Sequence, residues 1–155
     1  MSEIIENMTA PSFNLPGDGG KTVNLSDFKG KKVALFFYPK DDTSGCTKEA
    51  IEFTEHVADF EAANTVVIGM SPDPVKKHDK FIAKHELGVI LASDEEKTTL
   101  DAYNVWKEKS MYGKKYMGVE RSTFLIDQDG KVQKLWRKVK VPGHVEEVLK
   151  AAQEL

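Results

Sequence analysis

The sequence predicts an α/β domain with a mixed central sheet flanked by helices, on three observations. Short apolar runs alternate with stretches of helical period, a turn-rich connection near each end joins two strand-like segments, and no repeat or low-complexity tract interrupts the 155 residues.

Phe13 to Leu15 and Thr22 to Leu25 flank Pro16-Gly17-Asp18-Gly19-Gly20 and read as an N-terminal β-hairpin. Val33-Ala34-Leu35-Phe36-Phe37 is apolar throughout, as expected of a central strand covered on both faces. Ala50, Phe53, Val57 and Phe60 then fall on one face of a helix running to about Ala63. Thr65 to Met70 is the next buried strand, and Ser71-Pro72-Asp73-Pro74 breaks it and offers capping groups for a helix through Val75, Phe81 and Ile82, which Gly88 stops. Val89-Ile90-Leu91-Ala92 reads as a short strand, and Ser93-Asp94-Glu95-Glu96 as the cap and acidic first turn of a helix through Leu100 and Tyr103. Trp106 to Glu120 has no clean period and is expected to be irregular, with Trp106 and Tyr112 near the mouth of a pocket. Ser122 to Ile126, the turn Asp127-Gln128-Asp129-Gly130, and Val132 to Val139 form a second hairpin. Val145, Val148, Leu149 and Ala152 give the last helix its apolar stripe.

Composition bounds the function. At 40% hydrophobic, residues 1–155 suffice for one domain with a real core. A net charge of -3, with 22 basic and 25 acidic residues dispersed along the chain, gives no electrostatic footprint for nucleic acid or an acidic membrane. The densest basic group, Lys29, Lys31 and Lys32, reads as a solvated loop. Met1 to Asn7 lacks the pattern of a secretory leader, and no stretch approaches the roughly 20 apolar residues of a membrane helix. His56, His78, His85 and His144 show no zinc-site spacing, so no metal and no cofactor is expected, and the histidines read as mostly solvated. A single cysteine excludes an intrachain disulfide and suits a reducing compartment, so the cytoplasm is the expected location.

That cysteine, Cys46, follows the central strand and opens a helix, where unpaired N–H groups and the positive end of the helix dipole favour thiolate over thiol. Asp41 and Asp42 lie close by, and nearby carboxylates disfavour a second anion, so both are expected to point outward.

Pro39, Thr43 and Cys46 match the Pro-x-x-x-Thr-x-x-Cys motif of the peroxiredoxins. The surrounding Phe36 to Asp41 and Gly45-Cys46-Thr47 resemble the bacterioferritin comigratory protein, or peroxiredoxin Q, branch. Ala10 to Phe13, Leu25 to Asp27, Gly69 to Asp73, Tyr116 to Asp127 and Val141 to His144 are similar to that branch in the same order, so the resemblance spans essentially the whole chain. It implies a thioredoxin-like fold and a thiol-dependent peroxidase acting on hydrogen peroxide and organic hydroperoxides, in antioxidant defence and redox homeostasis. By motif position Cys46 is the peroxidatic nucleophile. Thr43 is expected to place a hydroxyl that both accepts and donates beside the sulfur. Arg121 would stabilise thiolate and leaving oxygen together, Pro39 would wall the pocket, Gly45 would let backbone N–H groups approach the substrate, and Glu49 would orient the arginine. Singly, each also has a plainer reading: Thr43 as a helix cap, Pro39 as a strand end, Arg121 as a partner of Glu120 or a surface acid.

The chain departs from its relatives at Ile51, where many members of the branch carry a resolving cysteine. A sulfenic acid on Cys46 cannot close an internal disulfide, so the expected mechanism is one-cysteine, with reduction by an external thiol: thioredoxin, glutaredoxin with glutathione, or a small thiol. The expected state is a monomer or weak homodimer. The alternative function is a redox-sensing or chaperone-like binding protein whose oxidised cysteine changes partner affinity.

Overall fold

The structure is a computed structural model describing residues 4–155; the first three residues, part of the stretch read as lacking a leader, lie outside it. Its centre is a five-stranded sheet of order β5-β4-β3-β8-β9, with β3 Lys32–Phe37, β4 Thr65–Ser71, β5 Ile90–Ser93, β8 Ser122–Ile126 and β9 Val132–Trp136. β4 runs parallel to β3 and β5 parallel to β4, while β8 runs antiparallel to β3 and β9 to β8. The sheet is therefore mixed, with the apolar run at its middle, as expected.

β3 alternates strictly between two cores. Val33, Leu35 and Phe37 face a cluster completed by Ile68, Met70, Tyr103 and Phe124, while Ala34, Phe36 and Tyr38 face one completed by Phe53, Phe60, Phe81, Leu125, Val145 and Val148. The second cluster is covered by α1 Ser44–Glu55, α2 Val57–Ala62, α3 Val75–His85 and α5 His144–Glu154. Cys46 belongs to it. Phe36 stacks on Phe53 with ring centroids 4.5 Å apart, so the strand leading to the cysteine and the helix following it share an aromatic contact. Lys32, at the start of β3, is buried and donates from Nζ to the Ala152 carbonyl at 2.7 Å, capping the last turn of α5 with a cation.

The N-terminal hairpin forms as expected, from β1 Asn14–Pro16 and β2 Thr22–Asn24, and the β8–β9 hairpin forms one edge of the sheet, with β9 ending at Trp136 rather than running to Val139. Several expectations are corrected. The helix read through Phe60 is two helices, broken at His56, whose N–H donates to the Phe53 carbonyl, so Val57 falls off the buried face while Phe60 stays on it. α3 ends at His85 rather than at Gly88, because Glu86 takes a left-handed conformation and Leu87 N–H donates back to the Ile82 carbonyl. α4 covers only Thr98–Ala102, and Asp94 reaches forward to accept from Leu100 N–H at 2.7 Å instead of capping an immediate helix.

The span Trp106 to Glu120 is not irregular. β6 Trp106–Met111 and β7 Lys114–Val119 make an antiparallel hairpin separate from the central sheet. Its turn residues, Tyr112 and Gly113, both have positive φ, and Tyr112 is 98% exposed at the tip rather than lining a pocket. Among the described residues, no helix is long and apolar enough to cross a membrane.

One position tests the packing directly. A Cβ on Gly69 in β4 would come within 2.6 Å of Phe36 Cζ and 2.9 Å of a Leu91 methyl, and the stacked Phe36 ring has nowhere to go. Gly69→Ala is expected to destabilise the fold by about 1–3 kcal/mol, measured by denaturant unfolding.

Candidate active site

The buried stripe of α1 begins earlier than the hydrophobic period indicates. Cys46, Glu49, Ala50 and Phe53 are its buried residues, spaced as one helical face, so a thiol and a carboxylate share the side that packs on β3. Cys46 is the third residue of the helix and 1% exposed. The N–H groups of this first turn have no carbonyl four residues back within the helix, and the positive end of the dipole lies at the sulfur.

Arg121 enters from the residue preceding β8. Its Nη2 donates to Cys46 Sγ at 3.3 Å and its Nη1 to Glu49 Oε1 at 2.7 Å, so one guanidinium spans both groups. Arg121 does not pair with Glu120; Arg137 Nη1 lies 3.8 Å from that carboxylate instead. Gly45 leaves the space the guanidinium occupies, since a Cβ there would sit 3.2 Å from Arg121 Nη2. Its lack of a side chain thus serves the arginine as well as any approaching substrate.

Glu49 is fully buried, and among the described residues its Oε2 has no hydrogen-bond partner. Burial raises its ionisation to about 7, against the opposing pull of the Arg121 charge and hydrogen bond. Arg121 is held above its ordinary value: burial works against its charge, and Glu49 and Cys46 outweigh that burial.

Thr43 precedes α1 but its side chain does not cap the helix; its hydroxyl donates to the Lys40 carbonyl at 2.8 Å. The expected donation toward the sulfur is therefore not made. A hydroxyl three residues from a carbonyl in a tight turn closes that local ring first, leaving the oxygen free to accept. Pro39 is half-buried at the bend just beyond β3. Ile51, at the position of the missing cysteine, is half-buried in α1 and packs against the same core cluster as Cys46.

The two aspartates of the loop behave differently. Asp42 points outward, as expected, and pairs with Lys84 Nζ at 2.8 Å and His85 Nε2 at 2.9 Å, which hold its carboxyl below the usual range. Asp41 does not point outward. It is buried, accepting from Tyr38 Oη at 2.6 Å and lying 2.6 Å from His78 Nδ1, so a histidine rather than water balances its charge. His78 and His144 are likewise buried, not solvated. His144 Nε2 sits 2.8 Å from Thr123 Oγ1, and burial drives its ionisation down to about 4, with the Arg121 charge acting the same way and Glu147 opposing. The burial of both comes from elements distant in the chain, Asp41 and Ala92 against His78 and Thr123 against His144.

Lys109 was also hidden in the sequence. The unrecognised β6–β7 hairpin brings it into the field of the site, where burial and the Arg121 charge lower its ionisation and Cys46 and Glu120 raise it.

Residues 7–135 match the AhpC/TSA family. The chain is 51% identical over 146 residues to Peroxiredoxin Bcp of Bacillus subtilis, covering 94% of this chain and 93% of that one. It is 51% identical over 140 residues to a putative peroxiredoxin bcp of Coxiella burnetii, covering 90% and 93%. Among solved structures, Xylella fastidiosa PrxQ superposes with a TM-score of 0.93 at 39% identity, over 99% of this chain and 98% of that one. Xanthomonas campestris peroxiredoxin Q gives 0.88 at 42% identity, over 92% and 90%. The fold is thus the thioredoxin-like one expected.

Because the folded-state ionisation of Glu49 lies above that of a free carboxylate, its contribution to stability is complete below about 4.5 and is lost as pH rises through about 7. Denaturant unfolding across that interval should show the wild type losing on the order of 1–3 kcal/mol more than Glu49→Gln.

Proposed function

The chain belongs to the AhpC/TSA family as a peroxiredoxin of the bacterioferritin comigratory protein type, and from that membership we propose that Cys46 is the sulfur through which it reduces hydroperoxides. The observation that supports this assignment is the Arg121 guanidinium 3.3 Å from Sγ in the first turn of α1. The family activity is thiol-dependent peroxide reduction, and a relative from Xanthomonas campestris is described for its alkyl peroxide reduction activity. Hydrogen peroxide and small organic hydroperoxides are the proposed substrates. The redox-sensing or chaperone-like alternative is not favoured.

In the first half-reaction the Cys46 thiolate attacks one peroxide oxygen in line with the O–O bond. The S–O bond forms as O–O breaks, the bonding pair leaves on the second oxygen, and that oxygen takes up a proton to become water or an alcohol. Cys46 is left as a sulfenic acid. Arg121 offsets the negative charge shared by sulfur and departing oxygen, and first-turn N–H groups near Gly45 add donors. Glu49 holds the guanidinium from behind. Thr43 Oγ1, with its proton committed to Lys40, accepts from the incoming hydroperoxide O–H, and Pro39 limits water at the bend.

In the second half-reaction an external thiolate attacks the sulfenic sulfur, displacing hydroxide, and a second thiol reduces the mixed disulfide to return Cys46. With one cysteine in the sequence no internal thiol can do this. Thioredoxin, glutaredoxin with glutathione and small thiols are the candidate reductants, and a reducing cytoplasm with a monomer or weak homodimer is the setting proposed.

Stoichiometric hydrogen peroxide should add one oxygen to Cys46 by mass spectrometry and nothing to Cys46→Ser. In stopped flow, Arg121→Ala should slow that step on the order of 100-fold or more, and Arg121→Lys should restore only part, since an ammonium cannot hold Glu49 and the sulfur in one plane. Native protein inert to peroxide would overturn the assignment. Turnover compared across the three reductants identifies the one that completes the cycle.

A further inference from the structure

A buried ionic cluster lies behind the loop that delivers Cys46, and none of the chemistry above uses it. We propose that Asp41 and His78 form a positioning pair for Cys46: their buried ion pair pins the β3–α1 loop to α3 and thereby fixes the first turn of α1. The inference rests on the peroxidase reading for its consequence in turnover, but its geometry is independent of it.

Asp41 lies five residues before Cys46. Its backbone N–H donates to Asp73 Oδ2 at 2.7 Å, and its carboxylate accepts from Tyr38 Oη at 2.6 Å and contacts His78 Nδ1 at 2.6 Å. The anchor is itself anchored. Asp73 Oδ2 also accepts from Ser71 Oγ at 2.7 Å, and the Asp73 carbonyl accepts from Ser93 Oγ at 2.6 Å. The side chain of His78 is 0% exposed and that of Asp41 3%.

The hydrogen bonds place one proton between His78 and Asp41, and the surrounding carboxylates favour it on the histidine. His78 Nε2 lies 2.9 Å from the Ala92 carbonyl, which can only accept, so Nε2 carries a hydrogen. Asp41 already accepts from Tyr38 and takes the Nδ1 hydrogen as well. The groups facing His78 are Asp41 and Tyr38 from the end of β3, Asp73 from the β4–α3 turn and the Ala92 carbonyl from β5; Lys77, one residue before it on α3, lies 3.9 Å from Asp73. Burial disfavours the histidine charge, but Asp41, Ala92 and Asp73 outweigh it and raise its ionisation. The Tyr38 phenol, raised by burial and by Asp41, stays neutral. The pair is lost as pH rises through the folded-state value of His78, which lies above that of a free imidazole.

Buried ion pairs are weak sources of stability, and their better-attested use is to select one arrangement among several. Here the arrangement selected puts Asp42 in a left-handed conformation, with φ 60°, so that α1 starts two residues later. The pair also neutralises a carboxylate that would otherwise oppose a thiolate in the first turn of α1.

The test compares Asp41→Asn, His78→Gln, their double variant and the milder Tyr38→Phe, each checked for folding by circular dichroism. Three readouts are taken: the rate of Cys46 oxidation by hydrogen peroxide against pH, the thiol titration from absorbance at ultraviolet wavelengths, and amide hydrogen exchange across residues 40–47. Each single variant at the pair is expected to slow oxidation about tenfold or more and speed exchange, and His78→Gln, which leaves the Asp41 carboxylate unbalanced, should raise the thiol titration more than Asp41→Asn, which removes it. Tyr38→Phe should move all three less, in the same direction, and the double variant should be no worse than the poorer single. Wild type should lose rate on the alkaline side, and His78→Gln should lack that limb. Folded variants with wild-type titration and exchange would overturn the proposal, as would slower oxidation with the wild-type pH profile and exchange retained. Should wild-type Cys46 itself resist peroxide, the peroxidase reading would fail while titration and exchange still decide the pair.

Discussion

One guanidinium held between a buried carboxylate and a sulfur is the constraint around which this chain is arranged. Arg121 can bridge Glu49 and Cys46 only because both lie on the same face of α1, three residues apart, and because β8 delivers the arginine to that face from the neighbouring strand. Gly45 keeps the space between them clear. The planar, forked geometry of the side chain lets it satisfy two acceptors without turning, which a point cation cannot do. A buried carboxylate with one orphaned oxygen is unfavourable for folding alone, and its position behind the arginine explains its retention.

Packing makes that arrangement rigid. β3 distributes its side chains between two cores, and the half that faces α1 ends in Tyr38, whose ring packs with Phe36 and whose hydroxyl reaches Asp41. Hydrophobic burial and the polar anchoring of the loop therefore meet in one side chain. From strand to turn to first helical turn, each residue that determines where the sulfur sits is buried, hydrogen-bonded or both.

Much of this was legible in the sequence. The continuous apolar run of β3, the Pro-Gly-Asp-Gly-Gly turn and the ordered blocks around Cys46 are local signals, and local signals determine strands, hairpins and motif residues. What escaped was non-local. Asp41 reads as a solvated loop carboxylate until α3 places His78 against it, and Glu49 reads as an orienting group without a hint that it is the more deeply buried member of its pair. The β6–β7 hairpin gives little local signal because Tyr112 occupies a turn position that usually announces itself with asparagine or aspartate, and because its strands face solvent more than core and show no apolar alternation. Thr43 is the opposite case: its motif position suggests a hydroxyl that both accepts and donates beside the sulfur, whereas the Lys40 carbonyl takes its hydrogen and leaves only the accepting role.

α1 runs unbroken from Ser44 to Glu55 and carries both Cys46 and Ile51. Helix geometry separates two such positions by about 8.6 Å between Cα atoms, beyond the roughly 7 Å that a disulfide can bridge, so a cysteine at the second position would oblige the helix to unravel in every cycle. Isoleucine removes that obligation. No disulfide within α1 can therefore pull this helix apart, and a thiol that reaches the buried Cys46 sulfur must come from outside it.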